Sequence, residues 1–279
     1  MNKPQKIALA LAMILVGVVI YTQWYAARTR VSSPSQHPES IGDERPSHGN
    51  TVIKRFYQAK KKAHELYQGM ESTFYCGCSF TGKLVDHHSC GFKPIHEDER
   101  SYRIEWEHVV PASDFGRSFK AWREGHPDCV NAKGKKFRGR RCARKVSDEF
   151  NLMESDLYNL VPAIGEVNNR RANLPMGLIG EKGLSFGHCK TKISATVVEP
   201  RDEVKGFIAR TYQYMNHAYP GHGIISRKNK KLFEAWDRSY PPSQLEVKRA
   251  KRIAIIQGNL NPFIEQKSKL DSKQEATAD

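Results

Sequence analysis

Two carboxylates and a histidine interrupt an apolar stretch at residues 103–112, RIEWEHVVPA. Side chains of a strand alternate between faces, so Glu107 and His108 would point to opposite sides. They could address one site only if the strand bulged or ended there, and Pro111 favours an end. One interpretation is a carboxylate ligand beside a general base. The other is a strand with one wet face, whose histidine is simply hydrogen-bonded.

A second stretch, residues 156–175 (DLYNLVPAIGEVNNRRANLP), could complete such a site. A short buried strand that Pro162 breaks would be followed by a helix over about 164–169. Asn168 offers a carbonyl oxygen and Glu107 a carboxylate. Two oxygen ligands with several waters suit Mg²⁺ and suit Zn²⁺ poorly.

Basic residues near these stretches are candidates for binding phosphate. Arg170 and Arg171 follow Asn168 after one intervening residue, although they could equally form an ordinary polar helix face. Residues 130–145, VNAKGKKFRGRRCARK, have no acidic residue and indicate an exposed loop, which either contacts polyanion backbones or only aids solubility. The further candidates, in and before this loop, are Arg123, Lys135, Lys136, Arg138, Arg140 and Arg141.

The chain as a whole is strongly basic. Of its 279 residues, 45 are Lys or Arg and 30 are Asp or Glu, which gives a formal net charge of +15. Such a field attracts nucleic acid, acidic glycans or an anionic membrane surface. The charge therefore favours a polyanionic partner without choosing among these classes.

The N-terminus has the marks of an export segment. Lys3 and Lys6 precede an apolar run, and residues 1–27 are either a cleaved signal peptide or an N-terminal membrane anchor. Both alternatives predict a periplasmic or secreted domain, which the anchor would hold at the inner membrane. Residues 28–50 are rich in Ser, Pro and charge and predict a disordered linker.

Cysteine use agrees with an oxidising compartment. The six cysteines are Cys76, Cys78, Cys90, Cys129, Cys142 and Cys189. Disulfides are the expected state, and their connectivity cannot be derived from the sequence, except that Cys76 and Cys78 are too close to pair without strain. The alternative is a zinc site made by Cys76, Cys78, His88 and Cys90, whose spacing matches no standard finger.

Periodicity predicts the elements that must position these residues. Apolar residues at helical spacing predict a helix over 52–67, and short strands and loops pinned by cysteines fill 71–110. Three closing helices are expected, over 202–216, about 230–239 and 243–258. We expect one α+β domain, mixed but mainly helical, over 51–265, followed by a polar tail over 266–279.

Four segments of the sequence all resemble the same protein family. They are RIEWEHVVPA, FYCGC at 74–78, MESDLYNLVPAIGEVNNRRANLP at 153–175 and IQGNLNPF at 256–263. They resemble the bacterial endonuclease I family, which consists of periplasmic and secreted non-specific nucleases with a ββα-metal fold. The resemblance covers about residues 55–265 in order.

The resemblance implies a role for each central residue. Glu107 matches the family's metal-binding glutamate, His108 its general base and Asn168 its second metal ligand. It implies one Mg²⁺ per site, for which Ca²⁺ or Mn²⁺ could stand in, and hydrolysis of DNA, and also of RNA, to 5′-phosphate products. We expect the enzyme to act as a monomer.

The chain also departs from the family pattern. The family commonly has Gly-Gly-Arg-Lys-Asn-Cys, whose arginine contacts the phosphate, where this chain reads Gly125-His-Pro-Asp-Cys129. The residues that could replace that arginine are Arg123, His126, Arg170 and those of 133–145. Cys142 would then lie in an insertion, where a bridge to Cys129 would close the basic loop.

These observations leave two main hypotheses about function. The first is an exported, Mg²⁺-dependent endonuclease with little sequence preference. The second is a catalytically weak extracellular protein for DNA binding or DNA uptake on the same fold, which the missing arginine favours. An adhesion module for acidic glycans would explain the charge but none of the motifs.

Overall fold

The computed structural model describes residues 49–180 and 183–265. The predictions for residues 1–27, for nearly all of 28–50 and for 266–279 fall outside these ranges. Gly49 and Asn50, at the end of the expected linker, are buried, and the Asn50 amide donates to the backbone oxygens of Ile53 at 2.7 Å and Leu152 at 3.0 Å. Within the described ranges, none of the helices combines the length and the apolar character needed to cross a membrane.

The fold is α+β and mainly helical, as predicted. Its helices are α1 (Phe56–Leu66), α2 (Ala112–Gly116), α3 (Lys120–Arg123), α4 (Arg140–Val146), α5 (Asp148–Glu154), a 3₁₀ helix (Leu157–Asn159), α6 (Gly165–Arg171), α7 (Asp202–Ala218), α8 (Arg227–Ser239) and α9 (Gln244–Gln257). Its strands are β1 (Phe80–Thr81), β2 (Leu84–Val85), β3 (Ile104–His108), β4 (Leu160–Ile164), β5 (Leu184–Phe186), β6 (Cys189–Ile193) and β7 (Val198–Glu199).

An antiparallel strand pair followed by a short helix forms the centre of the fold. β3 pairs with β4 over their full lengths, with His108 opposite Leu160 and Ile104 opposite Ile164. All five residues of β4 are buried, and α6 begins at the next residue, Gly165. This ββα arrangement fixes β3 and α6, the two elements that carry the candidate ligands, against a common core.

Pro162 does not end the strand, which corrects the sequence-based expectation. It lies inside β4 opposite Trp106, and its carbonyl oxygen accepts a hydrogen bond from the backbone N–H of Phe74 at 2.8 Å. That carbonyl points away from β3, so Pro162 occupies a position whose N–H would also point away from the partner strand. A proline is tolerated there because no ladder hydrogen bond is lost.

Three disulfides link all six cysteines: Cys76–Cys189, Cys78–Cys90 and Cys129–Cys142. The Cys129–Cys142 bridge is the one expected to close the basic loop. The zinc alternative is wrong, since three of its four candidate ligands are in disulfides. Oxidised cysteines cannot supply the thiolates that a zinc site requires.

The closing helices lie where the sequence predicts them. α9 begins after Ser243, whose hydroxyl accepts from the backbone N–H of Glu246 at 3.2 Å, and it ends at Gly258 in the left-handed conformation. α7 packs against α8, with the rings of Tyr212 and Phe233 stacked at 4.3 Å. The predicted cap and glycine stop therefore set both ends of the last helix.

A buried arginine connects α9 to the start of β4. The Arg249 guanidinium donates to the backbone oxygens of Leu157 at 2.5 Å and Leu160 at 2.9 Å, and to the Tyr67 hydroxyl at 2.9 Å. Arg252 lies one turn further along the same helix and also donates to carbonyl oxygens, those of Leu66 and Gln68, but it is only half-buried.

We expect Arg249→Met to lower the free energy of unfolding by roughly 3 kcal/mol, because it leaves buried carbonyl oxygens without a donor. Arg252→Met is the matched control, since water can replace its hydrogen bonds, and it should cost less than about 1 kcal/mol. Urea unfolding of both variants with the disulfides intact measures the difference. Equal midpoints for the two variants would contradict this account of Arg249.

Candidate active site

The end of β3 brings the central residues to one cavity. His108 is the last residue of the strand and Pro111 is the N-cap of α2, so the chain turns away there. A cavity of about 460 Å³ follows, lined among others by Glu107, His108, Asn168 and Arg140. Glu107 and His108 can share it because the strand ends at His108, one of the two conditions that the sequence set.

Glu107 is buried, and one of its two carboxylate oxygens accepts hydrogen bonds from neighbouring side chains. Its Oε1 accepts from Arg171 Nη1 at 2.7 Å and from the Tyr75 hydroxyl at 3.2 Å. No side chain among the described residues donates to its Oε2. Burial raises the pKa of the Glu107 carboxyl, and Arg171 and Tyr75 oppose that effect. One carboxylate oxygen is thus fixed by the protein, and the other is left for a ligand.

Arg171 lines the site cavity and holds Glu107. Its side chain is 1% exposed, and besides Glu107 it donates to the backbone oxygens of His108 and Val109, each at 2.8 Å. These buried partners favour a supporting role for Arg171 over the phosphate contact that the sequence suggested. A buried guanidinium that supports a buried carboxylate is the better description.

Asn168 lies on α6 with its amide oriented by a neighbouring carboxylate. Its Nδ2 donates to Glu105 Oε2 at 2.8 Å. Burial alone would raise the pKa of Glu105, but hydrogen bonds from Arg100 and Asn168 outweigh it and lower that pKa, which keeps Glu105 ionised. An ionised carboxylate only accepts hydrogen bonds, so it turns the Asn168 nitrogen toward itself and the carbonyl oxygen away. That oxygen accepts no hydrogen bond from the described residues.

His108 is held in one tautomer. Its Nε2 lies 2.8 Å from the backbone oxygen of Glu154, which can only accept, so Nε2 carries the proton and Nδ1 is the basic nitrogen. Phe56 stacks on the imidazole at 5.0 Å. Burial, together with the nearby charge of Arg140, lowers the pKa of His108 to about 4. The ring is therefore neutral at neutral pH.

Glu154 connects His108 to two arginines that the sequence did not single out as a pair. Its carboxylate is buried and binds Arg140 Nε through one oxygen and Arg144 Nε, at 2.5 Å, through the other. Arg140 also lines the site cavity, and its Nη2 is buried with no hydrogen-bond partner among the described residues. A charged donor without a partner thus lies beside His108.

Arg140 is the one candidate replacement for the missing arginine, among Arg123, His126, Arg170 and residues 133–145, that lines the site cavity. The family's Gly-Gly-Arg-Lys-Asn-Cys was compared with Gly125–Cys129, but the segment Gly139-Arg140-Arg141-Cys142 also has a Gly-Arg pair just before a cysteine. Aligning the cysteine of the family motif with Cys142 instead of Cys129 places Arg140 near the motif's arginine. The sequence therefore contains a signal for Arg140, but the motif can be aligned with either of two cysteines.

The other candidate phosphate-binding residues do not line the site cavity. Arg123 donates to the backbone oxygens of Arg117 and Ser118, and Arg170 pairs with Glu166. The remaining candidates are exposed on the basic loop: Lys135, Lys136, Arg138 and Arg141. These four side chains are exposed and could contact an extended polyanion, although Arg138 donates to the backbone oxygen of Arg123 at 3.3 Å and Arg141 lies in α4.

The donor set fits a hard, hydrated divalent cation. Glu107 Oε2 and Asn168 Oδ1 accept no side-chain hydrogen bond from the described residues, and both residues line the same cavity. The structure shows no group of three or more His, Cys, Asp and Glu able to hold a metal in residues 49–180 and 183–265. Two oxygen ligands suit Mg²⁺, which retains several waters, better than a cation that requires a complete protein cage.

Comparison with known proteins gives one consistent result. The endonuclease I family model matches residues 47–268. An extracellular deoxyribonuclease of Aeromonas hydrophila is 43% identical over 228 residues, which is 79% of this chain and 91% of the relative. A periplasmic deoxyribonuclease of the same organism is 38% identical over 95% of this chain and 98% of its own length. Endonuclease-1 of Buchnera aphidicola subsp. Acyrthosiphon pisum is 38% identical over 76% of this chain and 81% of its length.

We expect His108 to remain neutral in metal-free protein from about pH 5 upward, since its pKa is about 4. The unfolded chain has the ordinary value of about 6.5, so the folded state binds fewer protons and this stability contribution is lost as the pH falls from 6.5 toward 4. NMR titration of the histidine ring signals in EDTA, assigned with His108→Ala, measures the midpoint. A midpoint near 6.5 would show that the ring is not desolvated.

Proposed function

The chain belongs to the endonuclease I family, and from that premise we propose that it is an exported, Mg²⁺-dependent endonuclease that hydrolyses DNA with little sequence preference. The observation that carries this proposal is the cavity at the end of β3. It brings a neutral histidine, protonated on Nε2, together with one oxygen each of Glu107 and Asn168 that accepts no side-chain hydrogen bond from the described residues. Both kinds of group are needed to hydrolyse a phosphodiester.

His108 would act as the general base. With Nε2–H bound to the backbone oxygen of Glu154, Nδ1 is the atom that can take a proton from the attacking water. As that proton arrives, the imidazole becomes cationic, and the Glu154 carbonyl and the Glu154 carboxylate would stabilise the charge. The stacked Phe56 keeps the ring in place during this transfer.

Glu107 and Asn168 would hold Mg²⁺. When bound, the cation would polarise the phosphate and stabilise the departing O3′, leaving products with 5′-phosphates. Arg171 and Tyr75 would keep Glu107 in position by occupying its other oxygen. Glu105 would keep the Asn168 carbonyl turned toward the ion.

Arg140 would bind the phosphate that is cleaved. Its Nε is fixed by Glu154, its side chain lines the cavity, and its Nη2 is buried without a hydrogen-bond partner among the described residues. A guanidinium in this position can donate to a non-bridging phosphate oxygen as negative charge develops there. The hypothesis of a catalytically weak DNA-binding protein rested mainly on a missing arginine, so the position of Arg140 weakens it.

The exposed basic loop supports low sequence preference. Lys135, Lys136, Arg138 and Arg141 can contact phosphates, and such contacts do not read the base sequence. We extend the proposal to RNA, because the contacts that we assign are to phosphates, which RNA shares with DNA. The extracellular and periplasmic relatives, with the basic and apolar N-terminal segment, support export.

The direct test is nicking of supercoiled plasmid at neutral pH by oxidised residues 31–279, in Mg²⁺ and in EDTA. We expect nicking in Mg²⁺ only, with His108→Ala slower by roughly 10²- to 10⁴-fold because the general base is lost. Tight DNA binding without cleavage in any divalent metal would favour the DNA-binding hypothesis. Unchanged cleavage by His108→Ala would mean that another group is the base.

A comparison of three neighbouring arginines tests the phosphate contact. We expect Arg140→Met to lower kcat by about 10²- to 10³-fold, because a donor to the developing charge is removed. Arg144→Met removes the other contact to Glu154, and Arg141→Met removes an exposed charge of the loop, so both should retain most of the activity. An equal loss for Arg140→Met and Arg144→Met would show that Arg140 acts only by supporting Glu154.

A further inference from the structure

A second, larger groove adjoins the active site. It has a volume of about 1180 Å³, with α1 on one side and residues 99–106 on the other. Phe56, Trp106 and Asn168 line both this groove and the site cavity, so the two are continuous. Its volume exceeds the range of about 300–1,000 Å³ typical of small-molecule pockets. The shape therefore suits part of a polymer that extends from the active site.

The charge of the groove is suited to a polyanion. Lys60, Lys61 and Lys83 line it, and none of the three has an ion pair within the described part of the chain. Its two acidic residues, Glu99 and Glu105, are both paired with arginines. The lysine charges thus remain available, while the negative charges are already neutralised.

Aromatic rings are exposed between these charges. Tyr57 on α1 is 59% exposed, and Tyr102, which lines the groove near β3, is 42% exposed. His87 stacks on one face of Tyr102 at 4.7 Å with an interplanar angle of 24°. One face of the Tyr102 ring is therefore covered by His87, which restricts the ring, and the exposed part of Tyr102 can stack with another ring.

We propose that this groove binds an unpaired strand of nucleic acid next to the scissile phosphate, with bases stacking on Tyr57 and Tyr102 and phosphates lying near Lys61 and Lys83. Exposed aromatic rings among lysines along a groove are the combination by which proteins hold single strands without reading their sequence. The bases of an intact duplex are stacked on each other and cannot reach tyrosine side chains. This proposal rests on the proposed nuclease function, since it assigns the strand that the site cleaves.

Binding of a fluorescein-labelled 12-nucleotide oligothymidylate in EDTA, followed by anisotropy at fixed salt, tests the groove without cleavage. We expect Tyr57→Ala and Tyr102→Ala each to weaken binding by roughly 5- to 100-fold, the range for loss of one base–aromatic stack. Tyr57→Phe and Tyr102→Phe preserve the ring and should bind within about twofold of wild type. Circular dichroism at the assay temperature selects variants that are folded.

Charge is tested by a matched pair of double variants. Lys61→Gln with Lys83→Gln removes two charges from the groove, and Lys248→Gln with Lys251→Gln removes two exposed charges from α9. The groove pair should reduce the slope of log affinity against log salt by about 1.4, at about 0.7 for each phosphate contact on a single strand. The α9 pair should leave that slope close to the wild-type value.

Three results would overturn the proposal: unchanged binding by both alanine variants, equal loss of binding for a 12-base-pair duplex and for the single strand, or phenylalanine variants as weak as the alanine variants. The last would mean that the hydroxyl groups matter and stacking does not. Because binding is measured in EDTA, a wild-type protein that fails to nick plasmid would refute the nuclease proposal while the groove is still tested.

Discussion

Burying a carboxylate beside a neutral histidine is the constraint on which the site depends. Desolvation of Glu107 and His108 disfavours charge on both groups. Arg171 stabilises the carboxylate with one hydrogen bond and satisfies the carbonyl oxygens of His108 and Val109 with others. A single buried guanidinium therefore fixes both the candidate ligand, Glu107, and the backbone that carries the candidate base, His108. Removing it would leave an unpaired charge and open carbonyl oxygens together.

A second buried carboxylate, that of Asp156, is held by hydrogen bonds further from the cavity. Asp156, just before β4, accepts hydrogen bonds from Tyr214 on α7 at 2.8 Å, from Tyr219 at 2.7 Å and from Gln257 on α9 at 2.9 Å. Burial raises the pKa of this carboxyl, and these hydrogen bonds oppose the shift. Together with Arg249, Asp156 joins the closing helices to the segment that starts β4, so helices remote from the cavity set the position of the ββα unit.

Local sequence signals predicted the three closing helices well, because each depends on neighbouring residues, but the exposed loop expected over 130–145 is helical from Arg140. The capping box at Ser243 and the glycine after α9 correctly predict where that helix begins and ends. Contacts between distant segments gave weaker signals. The burial of Arg171 depends on Glu107, 64 residues away, and was not predicted. The sequence predicts a strand end at Pro162. Only the pairing with β3 shows that the N–H which proline lacks is not needed for a hydrogen bond between the two strands. Glu154 was not predicted, because its partners lie on α4 and β3.

Glu154 shows why the base and the basic loop cannot be treated as separate parts. Its backbone oxygen sets the tautomer of His108, and its carboxylate holds Arg140 and Arg144 on α4. The Cys129–Cys142 bridge ties the first turn of that helix to the start of the loop. The strongly basic loop is thus covalently joined to the helix that carries Arg140, the arginine that lines the cavity. An exported protein can rely on such a bridge, because the disulfide persists in an oxidising compartment.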